Sequence, residues 1–118
     1  MKNRQVIVTA IICMALAACA TGVTRDATSV DLGASRDDVR RIMGPPEDRQ
    51  FKDKNEAWQY CETGFVNDSF VVVWFYEGKV TGVRSYKNSV NDIGMCDSHF
   101  ASIRWEDAPT ATIELRSR

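Results

Sequence analysis

The hydrophobic pattern between residue 30 and the C-terminus is built on one unbroken run, Phe70-Val71-Val72-Val73-Trp74-Phe75-Tyr76. It is too short for a substantial helix, and its β-branched and aromatic residues suit a pleated strand. Glu77-Gly78-Lys79 reads as a turn, and Val80 to Tyr86 can return as the hairpin partner. Upstream, Glu56 to Glu62 predicts another strand, with Trp58 and Tyr60 on one face and Ala57, Gln59 and Cys61 on the other. Gly64, Asn67 and Asp68 supply turn residues between these two strands.

One segment follows the other period. Val39, Ile42 and Met43 lie at helical spacing. Ser35-Arg36-Asp37-Asp38 fits a capping box, and Arg40 and Arg41 suit the negative end of the helix dipole. Gly44 and Pro45-Pro46 stop the helix. Val30 to Gly33 leaves room for a single weak helical turn. Glu47 to Asn55 and Lys87 to Gly94 are polar and predict loops. His99 to Trp105 alternates as a strand would, and Ala111 to Leu115 has strand composition. The pattern predicts an α+β domain: one or two short helices on a three-stranded antiparallel sheet, with a C-terminal extension from about residue 87 that can add a strand. One helix stripe covers one face of such a sheet. Val71, Val73 and Phe75 should meet it, and the Trp74 side should be covered in part by Phe100 to Trp105, leaving the rest for a partner.

The 118 residues suffice for a single domain. The net charge is −1, and no basic run is present, which argues against nucleic acid as a partner. Lys2 and Arg4 precede a short apolar stretch, Val6 to Leu16, which has the parts of a secretory signal peptide and is too short to span a bilayer comfortably. Leu16-Ala17-Ala18-Cys19 follows, and these four residues resemble the lipobox of bacterial lipoproteins. The alternative reading is an ordinary signal peptide, or a transmembrane anchor with an incidental cysteine. The resemblance implies cleavage after residue 18 and acylation of Cys19, including palmitate, with acyl chains sufficient for stable anchoring. Ala20 implies sorting to the outer membrane, on its periplasmic face. Residues 19–29 then read as a lipidated tether, with the domain occupying 30–118.

Gly33-Ala34-Ser35, Val39, Met43-Gly44, Pro46, Trp58, Tyr60, Phe75 and Gly78 occur in the order found in the SmpA/OmlA (BamE-like) lipoprotein domain, which residues 30 to 86 resemble. The resemblance implies two short helices on a three-stranded antiparallel sheet. It also implies a scaffolding role in outer-membrane protein assembly or envelope maintenance. The tail beyond Tyr86 has no counterpart in the small archetype of that family.

Little catalytic chemistry is legible. Once Cys13 has left with the leader and Cys19 is acylated, Cys61 and Cys96 remain. An oxidising compartment favours a disulfide between them, worth roughly 3–4 kcal/mol in the chain-entropy model; two buried thiols are the alternative. Cys96-Asp97-Ser98-His99 offers half a metal site, but the chain has one histidine and no second close-spaced pair. Ser98 beside His99 is adjacency without a nucleophile elbow. The expectation is a protein that is not an enzyme, with no cofactor, no metal and no small-molecule substrate. It should bind a protein partner in the cell envelope. Trp58, Tyr60, Trp74, Tyr76 and Trp105 are the candidate partner surface. A small lipoprotein that inhibits or sequesters a hydrolase is the alternative.

Overall fold

The computed structural model describes residues 22–89 and 95–109. Helix α1 (Val23–Ala27) and helix α2 (Arg36–Met43) precede four strands, β1 (Asp48–Lys52), β2 (Asn55–Glu62), β3 (Asn67–Tyr76) and β4 (Lys79–Ser89). The strands form one antiparallel sheet in the order β1-β2-β3-β4. Two short 3-10 turns, Cys96–Ser98 and Trp105–Asp107, punctuate the tail. The fold is therefore α+β as expected, but the meander has a fourth strand.

The extra strand lies where a loop was expected. Its residues lack apolar alternation, and their extended state comes from pairing with β2, with Arg49 opposite Trp58 and Phe51 opposite Glu56. The loop expected from Lys87 is likewise strand as far as Ser89. The tether expected over 19–29 is also corrected, because α1 occupies Val23–Ala27 and buries Ala27 in the core. Val23, Ala27 and Val30 are spaced i, i+4 and i+7, the amphipathic spacing of a helix with its exit turn.

Helix α2 follows its sequence signals closely. The Ser35 hydroxyl accepts from the Asp38 amide at 3.1 Å, and the Asp38 carboxylate accepts from the Ser35 amide at 3.1 Å. These reciprocal bonds satisfy amides that the first turn would otherwise leave unpaired. They also hold the Asp38 carboxyl below the ordinary carboxylate range, the Ser35 backbone bond contributing most.

Both faces of the sheet are covered. On the helix face, Val39, Trp58, Tyr60, Val71, Val73, Phe75 and Val80 form the main core with Ala27. Trp58 and Phe75 meet at 4.7 Å between ring centroids. A bulge between Trp74 and Phe75 breaks the alternation of β4, so that Val80 and Val83, three positions apart, both turn to this face.

The opposite face carries Ala57, Val72 and Trp74, with Tyr86, Ile103, Trp105 and Ala108 packed over them. Phe70 stacks on Tyr86 at 4.7 Å, and Trp105 meets Trp74 edge-on at 5.9 Å. The tail crosses here as irregular chain, and the strand expected over His99 to Trp105 does not form. Its attachment uses side chains: the Tyr86 hydroxyl accepts from the Ala101 amide at 2.9 Å. Pro109 lies so close over Gly82 that a Cβ there would come within 2.7 Å of its ring. The strand-like segment 111–115 lies outside the described residues.

Candidate functional site

Cys61 and Cys96 form a disulfide, with Cα atoms 5.9 Å apart. It ties the tail to the end of β2, and the Thr63 hydroxyl accepts from the Cys96 amide at 3.1 Å beside it. Cys19 lies outside the described residues.

The aromatic residues expected to form a partner surface are mostly spent internally. Trp58 is 0% exposed, Tyr60 2% and Trp74 5%. These three are corrected to core residues: α2 covers the first two, and the tail covers Trp74. Tyr76 and Trp105 are half-buried, and Trp105 is the covering group on the second face. The sequence pattern expected Phe100 to Trp105 to cover the Trp74 side only in part, but the tail, with Ile103, Trp105 and Ala108, leaves Trp74 5% exposed.

The densest polar constellation is built around Glu56, which is buried on the helix face. The Arg36 guanidinium donates to one carboxylate oxygen at 2.7 Å and the Arg49 guanidinium to the other at 2.6 Å. The indole Nε1 of Trp58 donates to the same oxygen as Arg49. Burial by itself pushes the Glu56 carboxyl up, but the bonds from Trp58, Arg49 and Arg36 outweigh it and hold it below its ordinary value. Arg40 and Arg49 also lie over the Trp58 ring, at 5.2 and 5.3 Å from its centroid. This ionised, fully engaged carboxylate joins α2, β1 and β2. It is a structural hub, and sequence reasoning missed it because its three donors come from separate elements.

Tyr60 donates its hydroxyl to the Gly44 carbonyl at 2.9 Å and so holds the end of α2. Burial, together with the neighbouring Glu47, pushes that hydroxyl well above the ordinary tyrosine value and keeps it protonated. On the other face, Asp48 accepts from the side-chain amides of Gln59 and Gln50 at 2.8 and 2.9 Å. Among the described residues, every buried side-chain nitrogen and oxygen has a partner, and no cluster of three or more His, Cys, Asp or Glu is placed to hold a metal.

Of the two outer strands, β1 is short, and among the described residues the long outer edge of β4 stays open beside a cleft. The Val80 carbonyl accepts from the Gly33 amide at 2.8 Å, and the Val80 amide donates to the Ala34 carbonyl at 2.9 Å. Among the described residues, no further backbone bond reaches that edge from Thr81 to Ser89. Next to it, α1 and β4 enclose a cleft of about 310 Å³ lined by Thr24, Ala27, Thr28, Val30, Val83 and Ser85. Its hydroxyl-bearing residues Thr24, Thr28 and Ser85 are exposed, while Ala27 is buried and Val30 and Val83 are half-buried. The i, i+4, i+7 spacing of Val23, Ala27 and Val30 was the sequence signal that could have found it.

Comparison with protein-family models, curated proteins and solved structures finds no match. Among the described residues, the geometry is that of a small α+β domain with both sheet faces covered and the long outer edge of β4 unpaired beyond Val80. Among the described residues, no helix is long and apolar enough to cross a membrane.

Proposed function

We propose that this chain is a non-catalytic binding module, held on the periplasmic face of the outer membrane by lipid on Cys19. It takes an extended segment of an envelope protein along the open edge of β4. The observation that carries this reading is the edge itself, bare beyond Val80 among the described residues and bordered by the α1–β4 cleft. An added strand would gain main-chain hydrogen bonds from β4, while alternate side chains would enter the cleft under α1. The lipobox at Leu16 to Cys19 and the BamE-like resemblance of residues 30 to 86 support the membrane and scaffolding parts of the proposal. Lipid attachment would confine the module near membrane partners and raise its effective concentration there.

A photocrosslinking residue at Ser85, in the full-length protein in cells, tests the site. The expected product is one defined envelope protein, captured through an extended segment and lost when the exposed Thr28, across the cleft, is replaced by Arg. Equal capture from Asp37 on the outer side of α2, or capture that Thr28→Arg leaves unchanged, overturns the site. A stoichiometric complex with a soluble hydrolase would instead favour the inhibitor reading.

A further inference from the structure

The β2–β3 hairpin tip exposes apolar side chains that serve neither core. Phe65 is fully exposed, and Val66 and Met95 are about two-thirds exposed. All three lie at one end of the sheet. Phe65 and Val66 crown the hairpin, while Met95 precedes Cys96, which is bridged to Cys61 at the base of the same hairpin. The tip is held in shape from below. Besides the disulfide, the Thr63 hydroxyl bonds the Cys96 amide, and the buried Asp68 accepts from the Gly64 amide at 3.2 Å. The phenylalanine and valine therefore project from a fastened loop.

The start of the domain lies at the same end. The Val23 amide donates to the Glu62 carboxylate at 3.1 Å, and a Cβ on Gly22 would touch that carboxylate at 3.3 Å. Glu62 is the last residue of β2, immediately before the tip. From Cys19 to Gly22 the chain can extend no more than roughly 11 Å. The β1–β2 and β3–β4 turns, joined by the Lys54–Glu77 ion pair, lie at the far end of β2, about 25 Å away.

We infer that the Phe65-Val66 tip, with Met95 beside it, inserts into the interfacial region of the lipid bilayer that anchors Cys19, so that the domain stands on its hairpin end. The inference rests on the lipid attachment proposed above. The occupant follows from reach: a membrane that holds residue 19 is brought within a few residues of the end that carries Phe65, Val66 and Met95, whereas the exposed Leu32 and Phe51 lie toward the far end, out of that reach. Two acidic groups there are engaged internally, Glu62 with the Val23 amide and Asp68 with the Gly64 amide. Asp97 is exposed, so the attraction is apolar and does not require anionic lipid.

The test uses full-length protein, extracted with detergent and reconstituted into phosphatidylcholine vesicles with brominated acyl chains. Mass spectrometry of the same sample reads acylation at Cys19. Phe65→Trp adds an indole at a position with no packing to disturb, and Lys54→Trp adds one at the opposite end. The expected result is a blue-shifted added emission from Phe65→Trp that loses at least half its intensity to bromine, with Lys54→Trp unquenched. An acylated protein whose Phe65→Trp emission is unquenched, or no more quenched than Lys54→Trp, overturns the insertion and leaves the tip to solvent or a protein partner. An unacylated Cys19 overturns the anchoring proposal and this inference with it.

Discussion

At the residue scale, Glu56 shows how much one buried charge can organise. Its carboxylate engages Arg36, Arg49 and Trp58, so its neutralisation leaves two guanidinium groups with poorer partners. Glu56→Gln should lower stability by about 2 kcal/mol in urea unfolding, less than for a fully buried pair because both arginines reach solvent. The pH dependence has a definite sign. The folded state holds this carboxyl below its ordinary value of 4.5. Its contribution is complete above that value and is lost as pH falls through the depressed one. Unfolding midpoints measured between about pH 6 and about pH 3 should fall less steeply in Glu56→Gln than in the parent. None of this was legible in the sequence, where Glu56 reads as the polar first residue of a strand. Trp58 and Tyr60 were legible as one face, but their burial depended on how much of that face α2 covers.

At the element scale, legibility followed locality. Helix α2 could be read in detail because its cap, dipole charges and stop signal lie within the helix or next to it. Ser35→Ala should cost about 1 kcal/mol in thermal or urea unfolding, because it removes one side of the capping box. Strand β1 was missed because its extended state comes from its partner: Asp48 to Lys52 has no apolar alternation, and its order comes from pairing with β2. The tail was legible in its apolar residues but not in its conformation, since Phe100, Ile103 and Trp105 hold it over a face by side chains without strand pairing. Gly82→Ala should loosen that attachment and leave the meander intact. The expected signature is faster hydrogen exchange at the Ala101 amide, which Tyr86 now protects, with unchanged exchange in β2.

At the scale of the whole molecule, the second face is closed by a strap bonded at one end. Trp105→Ala should expose Trp74, shift tryptophan emission to the red and cost about 2 kcal/mol, since the lost ring is only half-buried. Replacing both Cys61 and Cys96 with serine should cost roughly 3 kcal/mol and increase dye binding to the Trp74 face. The meander itself needs no bridge, since its register is set by cross-strand pairs and its first core by α2. The redox state of the surroundings therefore governs the surface this chain displays. In a reducing milieu its tail grips by side chains alone and can lift, leaving a tryptophan-rich flank sticky. Oxidation fastens that cover, so the Trp74 flank is closed for good only where thiols are lost.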